Sequence, residues 1–253
     1  MTAALALIPQ HRAIPQRPLF VRAPGLPERE YYVFLPAALK PGAEPLVLVH
    51  GISRNAAELV LRFAEQADRT GVPLIAPLFR GEIYGQYQQA CDVKRGLRSD
   101  LALCDILDDA ARRFGLETNR IALFGFSGGA QFAHRFSLMH PHRVRACVPA
   151  SAGWYTMPDP LLAWPLGLDD FPGGPVAPAA GRVPFPLTIG RRDRHDDPAL
   201  RRDPELDRIQ GTDRRARAKS WHRALHKAGW NPASSLTVLP RTRHNFTCAH
   251  RHG

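Results

Sequence analysis

A serine with glycine two positions away on either side, Gly125-Phe126-Ser127-Gly128-Gly129, is the pattern in this chain best suited to nucleophilic chemistry. The spacing makes chemical sense at a sharp strand-to-helix turn, where the serine backbone is strained, its hydroxyl projects clear of the sheet, and flanking glycines avoid collisions. In a chain with 20 glycines the pentapeptide alone is a weak signal, so its surroundings decide. The apolar run R-I-A-L-F-G precedes it as a strand would, and A-Q-F-A-H-R-F-S-L-M follows with helical periodicity. Other reactive side chains are less well placed. His222 and His226 lie four apart on a helix, but no Glu or Cys completes a metal site, so no metal is expected. His134, His140 and His142 read as surface or helix-end residues, and His250 and His252 as a frayed tail.

The elements that must position Ser127 alternate along the chain. Residues 30–35, 45–50, 72–79, 120–125, 144–149, 187–190 and 235–239 read as strands, and 55–68, 100–114, 129–139 and 213–228 as helices. Strand and helix in alternation imply a mostly parallel sheet covered on both faces. Residues 1–19 read as irregular. Residues 153–186 carry many prolines and little periodicity, too long for an ordinary connection, and read as a Pro-rich insertion over the carboxyl edge of the sheet, a candidate lid. At 253 residues the chain is expected to form one domain, 1–253.

With these elements in place the sequence resembles the α/β-hydrolase superfamily from about Phe20 to Phe246. The resemblance implies an α/β fold of the α/β-hydrolase type, with an insertion after the sixth strand. It also implies roles for three further motifs. His50-Gly51 ends an apolar strand, and the N–H groups of Ile52 and Gly128 would receive the developing oxyanion. Gly190-Arg191-Arg192-Asp193 follows the strand P-L-T-I and would supply the acid, Asp193, with Asp196 and Asp197 as nearby competitors. His244, just past the last strand, would take the Ser127 proton and return it to the leaving group. Serine rather than aspartate at the elbow points to acyl transfer instead of epoxide or carbon-halogen hydrolysis. The segments H-G-I-S-R-N-A and G-F-S-G-G-A-Q-F-A-H-R-F are most similar to the group containing polyhydroxybutyrate depolymerases and feruloyl esterases. The chain stops nine residues after His244, where the family commonly has a full helix, so a less rigid histidine loop is implied.

The expected activity is therefore hydrolysis of a carboxylic ester through an acyl-enzyme by a Ser127-His244-Asp193 triad, with a small-molecule ester as partner and no cofactor. An acyltransferase, thioesterase or peptidase on the same triad, or a non-catalytic binding protein of this fold, is the alternative. Trp154, Tyr155 and Trp164 in the insertion and Tyr87 in the loop after 72–79 are the candidate substrate-binding aromatics. Net charge is +11, and all but four of the 34 basic residues are arginine. The densest basic stretch, 213–227, also repeats Ala216, Ala218, Trp221, Ala224 and Leu225 at helical intervals, so it reads as the solvated face of an amphipathic helix and no nucleic-acid partner is expected. The first ten residues lack a basic leader, and no run approaches a membrane span, which reads as a cytoplasmic protein with no membrane partner. Four cysteines without C-x-x-C spacing read as free thiols, Cys147 in the core, with a Cys91 to Cys104 bridge left open.

Overall fold

Short apolar runs become strands and amphipathic stretches become helices in the computed structural model, which describes residues 17–23, 29–193 and 197–244. The strands are β1 (Leu19–Arg22), β2 (Glu30–Phe34), β3 (Leu46–Val49), β4 (Leu74–Leu78), β5 (Cys91–Asp92), β6 (Leu97–Arg98), β7 (Ile121–Phe126), β8 (Val144–Ala150), β9 (Pro186–Gly190) and β10 (Ser235–Leu239). The helices are α1 (Ala56–Thr70), α2 (Ser99–Phe114), α3 (Gly128–Met139), α4 (Pro204–Gln210) and α5 (Arg214–Lys227).

Eight strands form one sheet in the order β1-β2-β4-β3-β7-β8-β9-β10, and β5 pairs only with β6. The pairs β1·β2 and β2·β4 are antiparallel, and the remaining neighbours in the large sheet are parallel. Side chains alternate between two cores, because successive residues of a strand point to opposite faces. Val47, Val49, Ile75, Ile121 and Leu123 pack with α2, α3 and α5, whereas Leu48, Leu74, Ala76 and Phe124 pack beneath α1. Burial on both faces is what makes these strands continuous apolar runs in the sequence.

The strand order sets the site. From β3 the chain moves outward through α1 to β4, then returns across β3 through α2 to β7. The sheet therefore changes direction between β3 and β7, and ligands of open α/β sheets bind in the crevice beyond the carboxyl ends of strands at such a switch point. Val49 pairs with Gly125 there, so Gly51, Ile52 and Ser127 emerge side by side.

Several expectations need correction. Strand β1 extends the sheet from Leu19, at the end of the segment read as irregular, and α4 was not foreseen. Helix α5 is not a solvated basic face throughout: Arg214 and Arg217 are buried with Ala218, Trp221 and Leu225. Arg217 escapes the cost of burial because its guanidinium donates to the carbonyls of Gly211, Gly153 and Arg201 and to the Asp207 carboxylate. His134 is fully buried rather than at the surface, its ring between the Ala130 carbonyl and the Thr156 N–H. Cys91 and Cys104 are free thiols, not a bridge, and Cys147 is buried, while Cys248 lies outside the described residues. The 153–186 segment follows β8, the sixth strand of the large sheet, and its one regular turn is a 3-10 helix at Pro178–Arg182. Tyr155, Phe171, Val183 and Phe185 anchor it in the core. Among the described residues no helix is long and apolar enough to cross a membrane.

Candidate active site

Backbone sterics place Ser127. Its φ of 56° and ψ of −114° are outside the regions open to ordinary residues, the strain expected of a side chain held at a functional turn. The turn closes only because two residues lack a Cβ. A Cβ on Gly125 would stand 2.2 Å from the Gly129 carbonyl oxygen, and one on Gly129 would stand 2.1 Å from the Val49 oxygen and 2.5 Å from that of His50. The Ser127 N–H donates to the Ala150 carbonyl at 2.9 Å, tying the elbow to β8. Helix α3 starts at the next residue, so its N-terminal end faces the serine.

Hydrogen bonds and charge place the other two members. Asp193 follows β9, and His244 follows β10, strands in register from Pro186/Ser235 to Gly190/Leu239. The loop carrying His244 is drawn onto the Asp193 turn by Arg192 N–H to Thr242 O at 2.8 Å. His244 Nδ1 lies 2.9 Å from Asp193 Oδ2, and Nε2 lies 3.0 Å from Ser127 Oγ. A carboxylate only accepts, so the ring proton belongs on Nδ1 and Nε2 is left to accept from the serine hydroxyl. Phe126, the residue before the nucleophile, stacks on the His244 ring at 4.9 Å and 26°. The residues after His244 lie outside the described ones, as does Asp196.

Arg214 was missed in the sequence because arginine at a helix start reads as solvent-facing. It is buried between two carboxylates, 3.6 Å from Asp193 Oδ1 and 2.7 Å from Asp197 Oδ2. Of the two described candidates for the acid, Asp193 meets the histidine and Asp197 meets Arg214. Burial works against the Asp197 carboxylate, but the Ala199 N–H and the Arg214 guanidinium outweigh it and hold its pKa below the usual value.

On the other side of Ser127 stands His50, fully buried. The Phe79 N–H donates to its Nε2 at 3.0 Å, so the proton sits on Nδ1, which donates to the Gly51 carbonyl at 2.8 Å. Burial lowers the His50 pKa to about 4, and the ring is neutral at pH 7. Ile52 and Gly128, the two residues expected to offer N–H groups, adjoin here: a Cβ on residue 128 would stand 3.5 Å from the Ile52 nitrogen.

The site opens into a cavity of about 1100 Å³. Trp154 and Trp164 line it together with Phe126, Gln88 and Gln131. The guanidinium carbons of Arg135 and Arg201 lie 4.1 and 5.0 Å from the Trp154 ring. The other two candidate aromatics do not line the cavity. Tyr155 is buried and stacks on Trp221 at 4.6 Å. Tyr87 is buried too, and its hydroxyl donates to the His50 carbonyl at 2.7 Å, so it braces the His50 loop from behind. His222 and His226 approach to 3.0 Å between Nε2 atoms, and no group of three metal-ligating side chains occurs among the described residues.

No protein-family model and no curated protein sequence matches the chain. Solved structures do. A poly(aspartic acid) hydrolase from Sphingomonas sp. KT-1 superposes with a TM-score of 0.77 at 25% identity, over 88% of this chain and 90% of that one. A poly(3-hydroxybutyrate) depolymerase from Bordetella parapertussis gives 0.75 at 26% identity, over 86% of this chain and 79% of that one. An S-formylglutathione hydrolase from Staphylococcus aureus, 15% identical with a TM-score of 0.59 over 92% and 93% of the two chains, shares the fold.

Proposed function

Because the chain is an α/β-hydrolase of the esterase group, we propose that it cleaves a carboxylic ester through an acyl-enzyme formed on Ser127. The observation that carries this reading is the unbroken chain of contacts Asp193 Oδ2, His244 Nδ1, His244 Nε2, Ser127 Oγ, with steps of 2.9 and 3.0 Å. In the first half-reaction His244 takes the serine proton as Oγ attacks the carbonyl carbon, and Asp193 stabilises the imidazolium. The oxyanion is received by the N–H groups of Ile52 and Gly128. His244 then protonates the departing alcohol, and water repeats the sequence on the acyl-serine.

The cavity suits a substrate with an apolar or aromatic portion, since Trp154, Trp164 and Phe126 supply wall while Gln88 and Gln131 offer hydrogen bonds. The similarity to a depolymerase of a hydroxy-acid polyester supports esters of hydroxy acids as the first class to assay. The purified chain is expected to hydrolyse 4-nitrophenyl butyrate, and Ser127→Ala to lose at least about 10⁴-fold in kcat. A fluorophosphonate should label the original chain at Ser127 and leave the variant unlabelled. Equal hydrolysis by both proteins overturns the proposal, and an original chain that neither labels nor hydrolyses esters points to a binding protein on this fold.

A further inference from the structure

The S-R-N stretch after His50-Gly51-Ile52 has no part in the triad, yet it forms a turn beside it that several hydrogen bonds tie down. Ile52 carries one of the two oxyanion donors in the proposed reaction, and the residue is 53% exposed. With about half of the residue in solvent, hydrogen bonds to the neighbouring carbonyls carry much of the restraint on its N–H. Arg54 supplies one on each side, and His50 Nδ1 adds a second to the Gly51 carbonyl at 2.8 Å. The Arg54 N–H donates to the Gly51 carbonyl at 3.1 Å, and its Nη1 donates to the Ile52 carbonyl at 2.9 Å. Those carbonyls belong to the two peptide planes that flank the Ile52 α-carbon, and the first plane contains the Ile52 N–H itself.

The restraint is anchored outside the loop. Arg54 Nε donates to the Phe79 carbonyl at 2.9 Å, just past β4. Phe79 also gives its N–H to His50 Nε2, so both backbone polar groups of one residue hold the oxyanion loop. The guanidinium lies 5.8 Å from the Tyr87 ring, whose hydroxyl braces the His50 carbonyl. Arg54 adopts φ of 56°, a left-handed conformation that residues with a Cβ rarely take. In that conformation its main-chain and side-chain donors converge on the same turn.

We propose that Arg54 is a positioning residue for the oxyanion hole, aiming the Ile52 N–H by clamping the carbonyls on either side of it. The proposal rests on the acylation reading of Ser127. Loss of the guanidinium releases the Ile52 carbonyl and the peptide that follows it, while the Gly51 carbonyl stays held by the Arg54 N–H and His50 Nδ1 and the triad and the cavity wall stay in place. The transition state then meets a donor that is less firmly aimed, and ground-state binding is little changed.

Arg54→Met and Arg54→Lys are compared with the original chain on a matched pair of substrates, an oxygen ester and its thionoester, in which sulfur replaces the carbonyl oxygen. Sulfur is larger and a weaker acceptor, so an intact oxyanion hole favours the oxygen ester, and a misaimed one loses that preference. In Arg54→Met kcat is expected to fall about tenfold on the oxygen ester, with KM changed less than about twofold and the oxygen-to-sulfur rate ratio reduced about threefold, less than the loss from deleting a donor outright. Arg54→Lys, which can still reach one carbonyl, should recover part of kcat and of the ratio. A thermal melt of each variant separates this from unfolding, because loss of folded protein lowers both rates together and leaves their ratio alone. An unchanged ratio in a folded Arg54→Met overturns the proposal. Hydrolysis of neither ester by the original chain overturns the acylation reading, and this proposal with it.

Discussion

Ser127 rises between strands that have neighbours on both sides, while Asp193 and His244 hang from β9 and β10, the last two strands at one edge of the sheet. On the serine side, position is set by missing atoms: Gly125 and Gly129 let the elbow, α3 and the end of β3 approach within distances that no Cβ would allow. On the acid-base side, position is set by added interactions: a carboxylate, a backbone N–H, an aromatic face and a buried arginine. Strand β10 alternates between exposed and half-buried residues until Leu239, so little packing is there to help. Steric placement tolerates no change of shape, and placement by hydrogen bonds tolerates shape but not chemistry. The two halves should therefore fail in opposite ways.

The largest effect is expected where chemistry is changed and shape is kept. Asp193→Asn preserves volume but offers His244 an amide that can donate, which favours the wrong tautomer. We expect kcat for ester hydrolysis to fall by about 10⁴-fold with the melting temperature within a few degrees of the original. Arg214 retains Asp197 at 2.7 Å, so the buried cation is not stranded. A loss below tenfold would mean that another carboxylate serves His244.

Next is the converse change, shape altered with no chemical group removed. Gly129→Ala adds a methyl 2.1 Å from the Val49 oxygen, an atom of the backbone that cannot swing aside. The strand end and the helix must separate, at a cost of at least about 3 kcal/mol. For a chain of this size that corresponds to a melting temperature lower by roughly 6–12 °C. His244→Ala, by contrast, should melt near the original. If it melts as low as Gly129→Ala, the acid-base side is also holding the fold together and the contrast drawn above is wrong.

The same division explains what could be read from the sequence. Strands β3, β7 and β8 were legible because a sheet buried on both faces needs uninterrupted apolar residues, and the elbow because its glycines fall within one five-residue stretch of the chain. The acid was not legible from residue type, since Asp193, Asp196 and Asp197 fall within five positions of the sequence, and the turn after β9 presents Asp193 to the histidine. Tyr87 and Tyr155 show the same limit: an aromatic residue near a site is equally suited to its wall and to the core behind it. Arg214 and Arg217 show it for charge, because the acceptors that make their burial tolerable come from distant segments, Gly153 and Arg201 among them. Helix α4 had its signals, Asp203 accepting from the Glu205 and Leu206 N–H groups and Pro204 in the first turn, but seven residues are too few to establish a periodicity.

His50 offers the finest test, because it belongs to the sterically placed half yet acts through hydrogen bonds. Its pKa is lowered from an ordinary 6.5 to about 4, chiefly by burial. Between those values the unfolded chain binds a proton that the folded chain excludes, so lowering the pH favours unfolding. The stability that neutral His50 contributes is fully present above about pH 6.5 and is lost as the pH falls toward 4, a change of up to about 3 kcal/mol. His134, also buried with its pKa lowered by desolvation, adds a slope of the same sign. The difference between the original chain and His50→Asn isolates the His50 part. Asparagine can still donate to the Gly51 carbonyl but takes up no proton, so the variant should be less stable at pH 7 and lose less on acidification. Urea unfolding at pH 7.0, 6.0, 5.0 and 4.5 measures both. Parallel curves for the two proteins would show that His50 takes up its proton as readily in the folded chain as in the unfolded one, and would overturn this account of its burial.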